Sequence, residues 1–420
     1  MLGTYLFALW ATFITADPVS VGGIPFKLFL LMLALGLWLP HRTGRQIPFT
    51  VPVLIVAVGV PIVWSIVALF YPHPYAGTNP SPTHMTLEHA SRFLYLLIYL
   101  PIADYTLHAS ARRAVAMWVL PVFGLITLTW LFYVLYRHLG IDLPVTLTTT
   151  GRDASAKLGP LLGVVTPPGV SPSRIFFANH ILIIPAIAVL LAWLVLAGRR
   201  RLWWALAAVL VGLAVLYPIH ARGLTIGVLI VVLTTAGLSW RTGSIWPSAV
   251  LCVSVAVLLS TGFDSRAAQF LTGDRSDPSS QIRVVQAPQL VDGFEERPIM
   301  GSGLGATLPS GFTRSSTEPY QFELSYLQIL FQNGVAGLAL ILGLPLLACI
   351  RCLLALQRLR RHERIMAVAG IAGLAGMLIA GASNPYLISS YGMLSIAVAL
   401  ALCARAVHLA GDERHGVATF

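Results

Sequence analysis

The segment 322–349 reads FELSYLQILFQNGVAGLALILGLPLLAC, with a single Asp, Glu, Lys or Arg, Glu323, near its start. The segment 49–70 reads FTVPVLIVAVGVPIVWSIVALF and carries no ionisable side chain. About 20 consecutive apolar residues are enough for a helix to cross the hydrocarbon core of a bilayer. Barrel strands would instead show shorter segments that alternate between apolar and polar residues. These two segments therefore predict transmembrane helices.

The composition of the whole chain supports the same conclusion. Of the 420 residues, 57% are hydrophobic and only 10% are charged, whereas soluble domains carry about 25% charged residues. This balance excludes soluble globular, disordered and fibrous proteins. We predict an all-α polytopic membrane protein that forms a single transmembrane helical domain over 1–420. About 12 transmembrane helices are expected, at 2–16, 22–40, 49–70, 88–107, 114–136, 175–198, 202–219, 223–239, 244–261, 322–349, 365–382 and 388–408.

The distribution of basic residues predicts the orientation. The chain has 27 Lys and Arg against 16 Asp and Glu, and 15 of those 27 fall in short connections on one side of the predicted helices. Short cytoplasmic loops are enriched in Lys and Arg, so both termini are predicted to be cytoplasmic. The first apolar segment lacks a basic start and a cleavage site, which favours a retained helix over a signal peptide. Two longer loops, 139–174 and 262–321, are then periplasmic.

The sequence predicts neither a metal site nor a cofactor. The cysteine pair Cys349 and Cys352 ends an apolar segment without a second Cys or His pair, so we expect ordinary packing there. The lone histidines His73, His84 and His89 show no metal-ligand spacing.

Arg222 is the strongest candidate for a functional residue. It lies between two apolar segments in the sequence Tyr-Pro-Ile-His-Ala-Arg-Gly over 217–223. One interpretation is an interfacial arginine that reaches lipid phosphate. The other is a guanidinium that faces a cavity in the protein and binds a phosphate with two hydrogen bonds. Because arginine is disfavoured on the periplasmic side, we favour the second.

Glu323 is the second candidate. A carboxylate at the start of a helix is stabilised by the helix dipole, so capping is one interpretation. A carboxylate at the edge of the hydrocarbon can also act as a general base. The residue alone does not separate the two.

Other polar residues fall on the same predicted side. Asn179 and His180 follow Arg174 at the start of a predicted helix, and Asn384 precedes a proline between the last two. Helix-end hydrogen bonding explains His180, and a turn explains Asn384. The glycine-rich stretch 301–305 is either a flexible turn against the membrane or a substrate-contacting loop. Cations gathered with one carboxylate suit a substrate with a diphosphate and a hydroxyl nucleophile.

Taken in order, these motifs resemble the bacterial O-antigen ligase and polysaccharide polymerase superfamily of integral-membrane glycosyltransferases. The likeness runs over roughly 170–400. It rests on Arg174 with Phe-Ala-Asn-His at 177–180, on His-Ala-Arg-Gly at 220–223, which is similar to the family's Ser-Arg-Gly, and on Arg-Pro-Ile-Met-Gly-Ser-Gly at 297–303. It continues with Glu-Leu-Ser-Tyr-Leu-Gln at 323–328, Asn-Gly-Val-Ala-Gly-Leu at 333–338 and Asn-Pro at 384–385.

The resemblance implies a multi-span helical enzyme of the bacterial inner membrane whose active site faces the periplasm. Such an enzyme moves a glycan from undecaprenyl diphosphate to an acceptor sugar hydroxyl, with inversion and without metal or cofactor. Its partners are the lipid-linked donor, a sugar or lipid-linked acceptor, membrane lipid and other polysaccharide assembly proteins. Glu323 and Arg222 are then the expected catalytic residues. The expected substrate-binding residues are Arg174, Asn179, His180, His220, Arg297, Tyr326 and Asn384.

The resemblance leaves the reaction open between two enzymes. Ligases usually carry His-Asn-x-Tyr-Leu where this chain has Glu323 and Leu324, and polymerase-type members tolerate a carboxylate there. We therefore favour a repeat-unit polymerase, with an O-antigen ligase that acts on lipid A-core as the alternative. From a different class, a lipid-linked glycan flippase is a further alternative. Two homologous halves and charges near the bilayer midplane are typical of a transporter, and we see no internal repeat.

Overall fold

The computed structural model describes residues 20–21, 24–41, 46–70, 82–109, 178–196, 222–240, 278–312, 319–382 and 384–416, with a few single helical positions elsewhere. Two antiparallel strands of two residues each, β1 (Ser20–Val21) and β2 (Ile24–Pro25), precede the helices named below. The predicted segments 2–16, 114–136, 202–219 and 244–261, and the predicted loop 139–174, lie outside these ranges apart from single positions.

All other regular elements in the described part of the chain are helices. Apolar runs form the helices because a helix satisfies every backbone hydrogen bond internally, as an apolar environment requires. The helices are α1 (Phe26–Trp38), α2 (Thr50–Phe70), α3 (Pro82–Leu94), α4 (Tyr99–His108), α5 (Ile183–Leu196), α6 (Arg222–Trp240), α7 (Pro278–Glu296), α8 (Ser325–Leu356), α9 (Arg361–Ala382) and α10 (Ser390–Gly416). Short 3₁₀ turns follow α1 at Leu39–His41, join α3 to α4 at Tyr95–Ile98, and lead into α5 at Ala178–Leu182. A π turn, Ile55–Gly59, lies inside α2.

Within the described residues, four helices are long and apolar enough to cross a membrane: Thr50–Phe70, Ser325–Leu356, Glu363–Ala382 and Ser390–Gly411. Three shorter apolar helices lie at Phe26–Trp38, His180–Leu196 and Gly223–Ser239. The helices α2 and α8 expose apolar side chains such as Ile66 and Leu354 on their outer surfaces. This is the reverse of a water-soluble bundle and is compatible with a membrane protein.

The bundle is built around α9 and α10, which are the most buried of the long helices. Small residues let its helices approach closely, as they do in membranes. A Cβ atom on Gly227 of α6 would lie 2.8 Å from the Gly376 carbonyl of α9 and 2.8 Å from Ile184 of α5. The helices α5, α6 and α9 therefore meet at one level, and backbones in contact fix their relative positions.

The helix α8 is broken at Gly334, which the sequence did not predict. Gly334 adopts φ 64° and ψ −171°, a conformation that favours glycine. The segment 298–303 lies in the break and supplies the hydrogen bonds that the helix lacks there. Val335 N donates to Pro298 O (2.8 Å), Ala336 N to Ile299 O (3.1 Å), Ser302 N to Phe331 O (2.9 Å) and Gly303 N to Gln332 O (2.8 Å).

The described part of the predicted periplasmic loop 262–321 has regular structure and a buried segment. It contains the 19-residue helix α7, which packs along the first turns of α8. Residues 301–308 are buried in the protein, so the glycine-rich stretch is not a turn that lies against the membrane. Trp64 of α2 fixes this stretch by donating its indole N–H to both Met300 O (2.8 Å) and Asn333 O (2.9 Å).

Candidate functional site

Glu323 forms an ion pair with a residue that the sequence analysis did not select. Its Oε2 atom lies 2.8 Å from Nε of Arg283 on α7. The Glu323 side chain is only 6% exposed and the Arg283 side chain 20%. The Glu323 backbone N–H also donates to Oε1 of the buried Gln286 (3.0 Å), one turn further along α7. The carboxylate thus meets an arginine side chain that is partly exposed, although its Nε atom is buried.

Buried glutamines of α8 organise the chain that leads into Glu323. Gln328 Nε2 donates to Tyr320 O (2.9 Å) and to Gln332 Oε1 (3.0 Å). Gln332 Nε2 donates to Tyr320 O (3.0 Å) and to Ala306 O (3.1 Å). The Phe322 N–H donates to Gln328 Oε1 (3.0 Å). Because buried polar groups that are paired fix their neighbours, this network holds the Glu323 backbone in place.

The helix α3 adds a cation and a histidine to this region. Nη2 of Arg92 donates to the Tyr320 hydroxyl (3.1 Å), and its guanidinium lies 5.3 Å from the centre of the Tyr320 ring. The fully buried His89 stacks on the same ring at 5.3 Å. From the sequence, His89 was considered only as a lone histidine. Its spacing of three residues from Arg92, which places both on one face of a helix, was the signal that could have paired them.

Two predicted site residues lie beside the start of α8. The Ser325 hydroxyl donates to the backbone carbonyl of Asn384. The Tyr326 hydroxyl donates to Leu378 O of α9 (2.7 Å). Asn384 and Tyr326 are therefore close to Glu323, and the Tyr326 hydroxyl joins two helices. We call this end of the bundle the Glu323 end.

The starts of α5 and α6 lie toward the same end. Ile184 of α5 and Gly227 of α6 lie at the level where these two helices meet α9. His180 comes four residues before Ile184, and Arg222 comes five residues before Gly227. At 1.5 Å per residue their backbones are roughly 6–8 Å closer to the Glu323 end than that level. His180 is fully buried. The side chains of Asn179 and Arg222, and all of Arg174 and His220, lie outside the described residues.

Arg297 is the predicted site residue that the structure places elsewhere. It follows α7, 14 residues after Arg283, which corresponds to roughly 20 Å along a helix axis. Its carbonyl accepts the Gly301 N–H (2.9 Å), beside the break in α8. Arg297 therefore supports the buried segment and is not brought to Glu323.

Comparison with known proteins gives no identification. No protein-family model matches this sequence, and no characterised protein matches it.

Proposed function

We propose that the protein is a glycosyltransferase of the O-antigen ligase and polymerase type, which extends a lipid-linked polysaccharide at the periplasmic face of the inner membrane. The observation that carries this proposal is the Arg283–Glu323 pair, buried among amides at the end of the bundle where α5 and α6 begin. Ionisable groups retained in such an apolar chain are functional candidates by default. The donor is a glycan on undecaprenyl diphosphate, and the acceptor is a sugar hydroxyl on a second lipid-linked unit.

In this mechanism the arginines carry the charge of the leaving group. The guanidinium of Arg283 has five N–H donors. Its Nε atom lies 2.8 Å from Glu323 Oε2, but the Nε–H makes no hydrogen bond among the described residues, so the guanidinium has donors for a phosphate. Arg222, at the start of α6, is the second proposed phosphate-binding arginine. Neutralising a diphosphate makes it a better leaving group, so the proposed reaction needs no metal. Losing one donor of this kind typically costs about 2.7–4 kcal/mol of barrier.

Glu323 is the proposed proton acceptor. The acceptor hydroxyl attacks the anomeric carbon as its O–H proton passes to the carboxylate. A new C–O bond forms, the bond to the diphosphate breaks, and undecaprenyl diphosphate leaves with inversion. Arg283 thus has two proposed partners, Glu323 and the diphosphate. When the diphosphate binds Arg283, the ion pair with Glu323 weakens as the carboxylate takes the proton.

The test compares Glu323→Gln with Glu363→Gln. Both remove the charge from a largely buried carboxylate that pairs with an arginine, since Glu363 Oε2 lies 3.2 Å from Nε of Arg405. General-base catalysis contributes about 10²–10⁴-fold, so Glu323→Gln is expected to lower transfer by that factor at normal membrane abundance. Glu363→Gln is expected to lower stability without a specific loss of transfer. Near-normal transfer by Glu323→Gln would remove it as the base, leaving His220 as the next candidate.

The assay also separates the competing classes. The purified wild-type protein is given lipid-linked glycan extracted from a strain that lacks the protein. Longer chains that form without another protein or an energy source support a polymerase. Their absence, both with this glycan alone and with an added acceptor, supports a flippase. In the deletion strain, single repeat units on the lipid anchor indicate a lost polymerase. Polymer stranded on undecaprenyl indicates a lost ligase.

A further inference from the structure

Several buried polar side chains around Glu323 lack hydrogen-bond partners. Both ring nitrogens of His89, the amide nitrogen of Gln286 and the hydroxyl of Thr307 have none in the described part of the chain. All three residues are at most 2% exposed. Folded proteins pair the large majority of buried polar atoms, so several exceptions in one region call for an explanation.

These side chains come from three elements that converge on Tyr320 and Glu323. His89 of α3 stacks on the Tyr320 ring. Gln286 of α7 accepts the Glu323 N–H. Thr307 follows Ala306, whose carbonyl shares the Gln332 amide with the Tyr320 carbonyl. The unpaired atoms therefore surround the short stretch of chain that holds the proposed base.

The chemistry of the unpaired atoms matches a sugar ring. An amide NH₂ donates, a hydroxyl donates and accepts, and a neutral imidazole does one at each nitrogen. Each sugar hydroxyl can both donate and accept a hydrogen bond, whereas a phosphate offers almost only acceptors. We propose that His89, Gln286 and Thr307 form a subsite for one sugar ring of the glycan, an inference that rests on the proposed function. Because all three are buried, a sugar reaches them only after Tyr320 or the segment 301–308 moves.

A matched control lies in α6. Thr235 is also buried and its hydroxyl also lacks a partner among the described residues. It lies 13 residues from the start of α6, roughly 20 Å along the helix from the end that carries Arg222. Thr307→Val and Thr235→Val therefore make the same chemical change at a proposed ligand site and in the interior of the bundle.

The experiment measures KM for transfer and equilibrium binding with one probe, the lipid-linked glycan extracted from the deletion strain, on the purified full chain. Thr307→Val and His89→Phe, which keeps an aromatic ring for stacking, should each raise KM and weaken binding about three- to tenfold. Thr307→Ser keeps the hydroxyl and should stay within about twofold of wild type, as should Thr235→Val. Melting temperatures identify any variant that fails to fold.

The outcomes separate the subsite from the proposed function. If Thr307→Val behaves like Thr235→Val while the wild type transfers glycan, the unpaired atoms bind only ordered water. The subsite is then wrong and the enzyme remains. If the wild type neither binds nor transfers the glycan, the proposed function fails and the subsite with it. If Thr307→Val unfolds, normal binding by His89→Phe would likewise overturn the subsite.

Discussion

The two ends of the bundle bury charge in different ways. At the end opposite Glu323, the buried Arg405 of α10 is held through its Nε and Nη1 atoms. Its Nε atom pairs with Glu363 of α9 (3.2 Å), and Nη1 donates to the carbonyls of Thr106 and Ala109 (2.5 Å to the latter) at the end of α4. One guanidinium thus joins α4, α9 and α10. We call this the Arg405 end.

The Glu323 end has the same kind of ion pair but more unpaired atoms around it. Arg283 keeps 20% exposure, and the neighbouring histidine, glutamine and threonine side chains offer donors and acceptors without described partners. At the Arg405 end the Thr106 hydroxyl is one described atom of the same kind. Removing one partner of a buried ion pair is costly for the fold, whereas buried polar atoms without partners are rare and offer a binding place for a ligand or an ordered water.

Substitution of Arg405 and of Arg283 should give the largest difference in stability between the two ends. Arg405→Gln leaves Glu363 buried without its cation and two carbonyls without a donor, so we expect a loss of about 3–5 kcal/mol in the free energy of unfolding. Arg283→Gln should cost less, about 1–2 kcal/mol, because water reaches this pair. Thermal unfolding in detergent measures both. Equal losses at the two ends would contradict the distinction between them.

The buried glycine segment gives the next largest effect. Gly303 and Gly311 both have positive φ, 90° and 71°, so alanine strains either by about 1–2 kcal/mol. A Cβ on Gly303 would meet the Ala68 backbone at 2.5 Å, whereas a Cβ on Gly311 meets nothing within 4 Å. Gly303→Ala should therefore cost about 1–3 kcal/mol more than Gly311→Ala. Equal unfolding temperatures would mean that the segment does not pack against α2.

Local composition was enough to predict most of the described helices. The predicted segments 49–70 and 365–382 agree closely with Thr50–Phe70 and Glu363–Ala382, because a continuous apolar run forms a helix wherever it lies. The break at Gly334 was missed because apolar residues continue on its far side. The helix α7 was missed because its sequence is polar and falls in a long loop.

The site was predicted less completely, because its contacts join distant parts of the chain. Glu323 was selected from its position beside an apolar segment, but its partner Arg283 lies 40 residues earlier. The hydrogen bond from Arg92 to Tyr320 spans 228 residues. No periodic pattern encodes such pairs. Arg297 was selected from a motif, and its carbonyl accepts the Gly301 N–H beside the break in α8; its role in binding stays a prediction.

Substitution of two tryptophans gives a further test of the difference between the two ends. Trp64 donates its indole N–H to two backbone carbonyls beside the Gly334 break, and Trp38 donates to the Asp104 carboxylate (2.7 Å) toward the Arg405 end. Trp38→Phe should cost about 1.5–3 kcal/mol of stability, because a bond to a charged group is lost. Trp64→Phe should cost only about 1 kcal/mol.

The effects of these tryptophan variants on glycan transfer should follow the opposite order. Trp64 fixes the segment that packs against the glutamine network under Glu323, so Trp64→Phe should lower transfer per folded molecule. Trp38→Phe should lower transfer only as far as it lowers the amount of folded protein. Membrane abundance and transfer rate, measured together, decide the point. If both variants lose transfer in proportion to abundance, the segment 298–303 supports the fold alone, and Trp64 does not help to position the proposed base.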